Sequence, residues 1–200
     1  MNFIFISPHF PRTYWNFCDR LKKNGVNVLG IGDAAYDSLD ENVKNALTEY
    51  YYLSNMEDYE KMYRAVAFFA FKYGRIDWIE SNNEYWLEQD ARLRTDFNVN
   101  TGIKSDNILY FKSKAAMKDK YGQGGIPTAR GHKVVGYDDM AAFVEEVGYP
   151  VIAKPENGVG AAGTFTIHNK EDLVCFFKEN RKKHMYVKNL LPEISARMMQ

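Results

Sequence analysis

The chain has 200 residues, enough for one large domain or two small ones with a real hydrophobic core, and 46% of them are apolar, which excludes a disordered chain. Lys plus Arg and Asp plus Glu are both 26, so the formal net charge is zero. No global attraction to nucleic acid or to an anionic membrane surface follows from that balance, and any basic site must be local.

In chain order, "NFIFIS" is apolar on both faces if extended, which predicts a buried parallel strand. Around it, "MNFIFISPHFPRTYW" has no basic leader and meets Pro8 early, so no signal peptide is expected. "RTYWNFCDRLKKNG" has helical spacing and stops at Asn24-Gly25. "VNVLGIG" and "EYYYL" read as a second and a third strand, and "MEDYEKMYRAVAFFAFKYG" as an amphipathic helix ending at Gly74. The apolar run inside it, residues 65–71, is far too short to cross a bilayer. "IDWIES" is a fourth strand and "NEYWLEQDARLRTDF" another helix. Strands alternating with helices predict a parallel sheet covered on both sides, over residues 1–105.

After the polar stretch "NVNTGIKSDN" the pattern changes. "FKSKAAMKDKYGQGG" reads as one helix, "IPTARGHKVV" contains an extended segment, and "YDDMAAFVEEVG" is a helix stopped by Gly148. "PVIAKP" and "GTFTIHN" are strands, "KEDLVCFFKENRKK" a helix, and "HMYVKN" begins as a strand. The expected fold class is therefore α/β: a parallel-sheet domain followed by a small α+β module.

Several chemistries are absent from the pattern. The first strand ends in "SPHFP" rather than G-x-G-x-x-G, there is no G-x-x-x-x-G-K-[ST], and no G-x-S-x-G elbow occurs. Cys18 and Cys175 fit no metal or redox spacing, as for reduced cytosolic thiols, and the four histidines are scattered; no metal site is expected from them.

One stretch stands apart. In "GYPVIAKPENGVGAAGTFTIHN" a lysine, Lys154, precedes Gly158, Gly160 and Gly163. Glycines let backbone amides approach a bulky anion, and a lysine can meet the same anion as a point charge. A plain hairpin with a solvated lysine is the competing reading. Alternation puts Val151 and Ala153 on one strand face and Ile152 and Lys154 on the other. Glu156, beside the loop, would repel a phosphate if it pointed inward and is expected to be solvated instead. Glu84 sits where open α/β sheets place ligand crevices, or else at a helix N-terminus favoured by the dipole.

A second lysine extends the pattern. Lys114 begins K-x-x-M-K, Gly125-Ile126-Pro127 follows, and then come G-[YF]-P-[VI]-[VI]-x-K-P and the glycine stretch. Four motifs in this order resemble the nucleotide-binding half of the ATP-grasp superfamily, of the carbamoyl-phosphate-synthase-like, carboxylate–amine ligase type. "IDWIESNNEYWLEQDARLRTDFNVNTG" looks like the end of the α/β domain that precedes it in such proteins, and the resemblance covers about residues 1–188.

It implies a pre-ATP-grasp, Rossmann-like domain over 1–105 and the N-terminal ATP-grasp subdomain over 106–188. It also implies ATP as ligand, with Lys114 and Lys154 on the phosphates and the Gly158, Gly160 and Gly163 loop folded over them. An intact relative would activate a small-molecule carboxylate as an acyl phosphate for attack by an amine or similar nucleophile, in the cytoplasm. Nucleotide is the expected partner, nucleic acid and membrane are not, and a homo-oligomer or a second subunit is left open.

Departures bear on catalysis. Ala161 and Ala162 stand where many relatives carry side-chain donors. The resemblance calls for a downstream subdomain with acidic and Asn ligands for Mg²⁺, and the sequence ends at Gln200 before it, with Glu193 alone. Relatives read V-E-E-[FY]-[IV]-x-G where this chain reads "VKNLLPEISARMMQ". One permitted encoding of Val187 to Ile194, read from its third base, gives Glu-Glu-Phe-Ile-Thr-Gly-Asp. A frameshift near residue 187 is therefore suspected, with residues 189–200 a non-native tail. The alternatives are a non-catalytic nucleotide-binding subunit of a split enzyme and an inactive remnant. An incomplete site would leave an apolar face around "MYV", residues 185–187, and self-association would follow.

Overall fold

The computed structural model describes residues 1–157, 163–180 and 184–189. They divide into two compact units, Met1–Ile108 and one beginning at Leu109.

In the first unit the strands are β1 (Asn2–Ile6), β2 (Asn27–Gly32), β3 (Glu49–Tyr52) and β4 (Trp78–Glu80). They pair in the order β3-β2-β1-β4, all parallel. β1 shows why the strand is apolar on both faces. Its Ile4 and Ile6 join one core cluster with Leu29, Ile31, Ile79 and Phe69, whereas Phe3 and Phe5 join another with Val28, Cys18 and Val43. The crossover helices supply the two covers: α1 (Trp15–Lys23) and α2 (Glu41–Ala46) contribute Cys18 and Val43 to one, and α3 (Tyr59–Tyr73) and α4 (Leu87–Asp96) contribute Phe69 and Leu93 to the other.

α3 forms where Asp58 caps its start, accepting from the Lys61 amide at 3.3 Å, and Met62, Ala65, Val66 and Phe69 recur on one buried stripe. It ends at Gly74, whose φ of 84° suits glycine. α2 was not legible as a helix in the sequence: six residues are too few to display a period, and its Asp40 cap was the available signal. Glu84 is exposed and opens a 3₁₀ turn, Glu84–Trp86, ahead of α4, with Asn83 as its cap.

α4 carries an unexpected load, since Asp90 and Arg94 both face inward. Arg94, 2% exposed, donates from Nε to the Ile79 carbonyl (2.8 Å), from Nη1 to that of Ile103 (3.0 Å) and from Nη2 to Glu80 Oε2 (2.8 Å). Asp90, fully buried, accepts from the Ser81 hydroxyl (2.6 Å) and amide (3.1 Å) through Oδ2, and its Oδ1 has no partner among the described residues. Burial pushes the Asp90 carboxyl up to about 7. A folded-state value above the unfolded one stabilises the fold fully below the unfolded value, about 4 for an aspartate. That contribution is lost as pH rises through about 7. The first unit's melting temperature should therefore fall between pH 4.5 and pH 8, by on the order of a few kcal/mol in stability, and Asp90→Asn should flatten the profile. Parallel profiles for the two proteins would refute this.

In the second unit α5 (Leu109–Lys112) and α6 (Lys114–Gln123) precede β5 (Gly131–Val134), α7 (Tyr137–Val147), β6 (Val151–Pro155), β7 (Phe165–Ile167), α8 (Lys170–Asn180) and β8 (Met185–Asn189). The sheet is antiparallel, ordered β5-β8-β6-β7. The stretch 111–125 is not one helix: Ser113, in extended conformation, separates α5 from α6 and caps the latter. One sheet face, with Val151, Ala153, Ile167, Met185 and Val187, packs on Met140 and Val144 of α7 and on Leu173 and Phe176 of α8.

That packing corrects the expected apolar face at 185–187. Met185 (2% exposed) and Val187 (0%) are core residues, and Tyr186 is buried as well. β8 is an inner strand held on both sides, which removes the need for an outside cover there. It continues through Lys188 and Asn189, which pair with Ile152 and Val151 of β6. The rest of the suspected tail, residues 190–200, lies outside the described residues.

Candidate functional site

The site residues gather at one end of β6. Alternation along β6 is as the pattern required: Val151 and Ala153 are fully buried in the core, and Ile152 and Lys154 are half-buried on the opposite face. Across the ladder, Ile152 stands opposite Lys188 and Lys154 opposite Tyr186, so these four residues share that face. On β5, Gly131 pairs with Lys188, and a Cβ at Gly131 would lie 2.0 Å from the Tyr186 hydroxyl oxygen. Only glycine leaves room for the phenol there. Burial raises the Tyr186 phenol to about 12, so it stays a neutral donor and acceptor.

Lys114 is the first residue of α6, and its Nζ donates to the backbone carbonyl of Glu156 at 3.1 Å, just past the end of β6. Both candidate lysines therefore come to the same region although 40 positions apart in sequence (154 − 114 = 40). The device that brings them there is Glu156. It is 5% exposed, not solvated as expected. Its Oε1 accepts from the Ser113 hydroxyl and from the Ala115 amide (3.1 Å), and Ser113 Oγ in turn accepts from the Ala116 amide (3.2 Å). The carboxylate thus satisfies the Ala115 amide and the serine hydroxyl the Ala116 amide, both in the first turn of α6, and the carboxylate meets the positive end of the helix dipole. Its negative charge is therefore spent on the helix, which is why an acidic residue beside the loop is tolerated.

Gly163 has φ of 70°, and a Cβ there would meet the Pro155 ring at 2.9 Å, so both conformation and close approach call for glycine. Gly158 and Gly160, with Ala161 and Ala162, lie outside the described residues. Sequence reasoning missed the role of Ser113 and Glu156; the signal was present as an N-cap serine ahead of "KAAMK", but its partner is 43 residues away. Among the described residues no group of three or more His, Cys, Asp or Glu side chains is placed to hold a metal, and no helix is long and apolar enough to cross a membrane.

Comparison with known proteins bears on the fold and on the second unit as a whole. Residues 113–191 match the family model of the carbamoyl-phosphate synthase large chain, ATP-binding domain. The L-arginine-specific L-amino acid ligase of Bacillus subtilis is 30% identical over 151 residues, which are 76% of this chain and 35% of that one. Among solved structures, an L-amino acid ligase from Bacillus licheniformis is similar with a TM-score of 0.69 at 17% identity, over 95% of this chain and 44% of that one. The biotin carboxylase domain dimer of 2-oxoglutarate carboxylase from Hydrogenobacter thermophilus, solved with MgADP, gives 0.75 at 18%, over 95% and 44%. The chain thus spans about a third of the length of the curated relative and under half of these solved chains. With the motifs in order and a family model that begins at the Ser113 cap, residues 113–191 match the ATP-binding domain of the carbamoyl-phosphate synthase large chain, and the second unit is similar to ATP-grasp proteins over that span.

Proposed function

We propose that the second unit binds ATP through its phosphates, with Lys114 and Lys154 as point charges and the backbone around Gly158, Gly160 and Gly163 supplying amides. In the same reading, the protein to which this chain corresponds activates a carboxylate as an acyl phosphate for attack by an amine or similar nucleophile. The observation that carries the proposal is the convergence of Lys114 and Lys154 on the end of β6, fixed by the Ser113–Glu156 anchor. Chemistry of this kind asks the protein for positioning and charge neutralisation rather than for a covalent side chain.

Each lysine supplies a charge-assisted hydrogen bond of about 1.5–3 kcal/mol. Lys114→Ala and Lys154→Ala should therefore each weaken ATP binding about tenfold or more in calorimetric titration. Unchanged affinity in Lys154→Ala would leave that lysine a solvated strand residue and remove the basis of the proposal.

A further inference from the structure

The strand order leaves one part of the first sheet without a helix. β4 lies beyond β1 in the order β3-β2-β1-β4. On the face that carries Phe3 and Phe5, the covering helices α1 and α2 follow β1 and β2, whereas α3 and α4 lie on the other face. Trp78 of β4 packs with Phe3 and Phe5, while its neighbour Ile79 enters the opposite core. The result is a cavity of about 490 Å³ lined by Phe3, Phe5 and Trp78 from the sheet and by Phe17 and Leu21 from α1. None of the residues assigned to ATP lines it. Its rings are ordered. Phe3 stands opposite Trp78 across the β1–β4 ladder, and their planes differ by 8° at 6.1 Å between centroids. Phe3 and Phe5 differ by 22°, and Phe5 and Phe17 by 20°. Trp78 ends this row: among the described residues its indole has no ring partner besides Phe3. Phe17 is 48% exposed and Trp78 half-buried, so aromatic surface at both ends of the row faces solvent.

Charge around the cavity has one sign. Arg20, at its rim, shares a single carboxylate oxygen of Asp19 with Lys23, which leaves one positive charge in surplus on α1. Glu80, which lines the cavity from β4, is already engaged: it accepts from Arg94 Nη2 (2.8 Å) and from the amides of Ser81 (3.1 Å) and Asn82 (3.2 Å). We propose that this cavity is a binding site for a small planar aromatic anion, a free bicyclic aromatic carboxylate, whose ring extends the row at Trp78 and whose charge lies at Arg20. Near-parallel rings favour a flat guest in the same orientation, because offset stacking rewards parallel planes. The volume is that of a small-molecule pocket, which spans about 300–1,000 Å³. Arg20 is largely exposed, so its charge selects the sign of the ligand while burial of the ring supplies most of the affinity.

The test titrates naphthoate calorimetrically into the full chain and into Phe17→Asp, Arg20→Gln and Arg20→Lys. Two further ligands serve as controls: naphthylmethanol has the ring without the charge, and decahydronaphthoate has the charge without the planar ring. Naphthoate should bind the wild type saturably and bind Phe17→Asp, which puts a carboxylate on the ring wall, about tenfold more weakly or worse. Arg20→Gln should lose about two- to fivefold, and Arg20→Lys should restore it. Naphthylmethanol should bind the wild type and Arg20→Gln equally. Decahydronaphthoate should bind the wild type about two- to tenfold more weakly than naphthoate. Because Phe17 is half exposed, Phe17→Asp should melt close to the wild type, which separates lost binding from lost folding. Should it fail to fold, Arg20→Gln and the two control ligands still decide. Saturating ATP should leave naphthoate binding unchanged, since the two sites share no residue. The assignment is overturned if naphthoate does not bind the wild type, binds Phe17→Asp equally well, binds no better than decahydronaphthoate, or is displaced by ATP. A wild type that self-associates in light scattering, becomes monomeric as Phe17→Asp and takes up no naphthoate would make the cavity an interface between copies, and overturns it too.

Discussion

Arg94→Ala should destabilise the first unit by about 3–5 kcal/mol, a larger loss than a surface substitution in the same unit would cause. The guanidinium is 2% exposed and serves three acceptors on two segments: Ile79 and Glu80 at the end of β4, and Ile103 beyond α4. Truncation would leave two carbonyls and part of a carboxylate without these donors, and each carries its full desolvation cost. Lysine would not repair it, because a point charge on a flexible stem cannot span the three directions of the planar fork. Packing adds to the loss: Gly102, at φ of 75°, is held so close that a Cβ there would lie 2.7 Å from Arg94 Nε. Urea unfolding of Arg94→Ala and Arg94→Lys measures this. A cost for Arg94→Ala below about 1 kcal/mol would mean that the ion pair and its hydrogen bonds contribute no more than an exposed pair does.

Glu156→Ala should cost the second unit about 3 kcal/mol, since two hydrogen bonds to a buried charged acceptor are lost. Its effect on nucleotide binding decides between two opposed readings of the same residue. As an isolated charge beside the phosphates, Glu156 would repel them, and its removal would tighten binding. As the anchor of α6, it holds the helix start that carries Lys114, and its removal would weaken binding about tenfold or more. The buried geometry favours the anchor. Glu156→Gln separates the two contributions, because it keeps the acceptor at Oε1 and removes the charge. Expected affinities therefore run from Glu156→Gln, equal to or tighter than wild type, to Glu156→Ala, the weakest. Tighter ATP binding by Glu156→Ala than by the wild type would sink the anchoring role.

The alternation of strand and helix in the first half, and the lysine and glycine motifs in the second, were legible in the sequence because each is a local signal. β1 announces burial on both faces by being apolar at every position after Asn2, and α3 announces one buried stripe through Met62, Val66 and Phe69. Lys154 announced its face through the two-residue period of "VIAKP", since Val151 and Ala153 had to enter the core. The short α2 and the break between α5 and α6 were not legible, because four to six residues show no period and a serine cap competes with continued helix spacing. Tertiary structure alone decided the rest. Asp90 and Arg94 are four apart on a helix, a spacing that equally suits an exposed ion pair, yet both are buried, because α4 turns that side onto the end of β4. Glu156 reads as a solvated charge beside a loop and is instead the cap of a helix that begins 42 residues earlier (156 − 114 = 42). Lys188 carries no motif that joins it to Lys154; strand register across β6 and β8 puts the two on one face. Composition and periodicity report on burial and on the next turn of chain, whereas the partner of a buried charge is chosen by contacts remote in sequence, which no local pattern encodes.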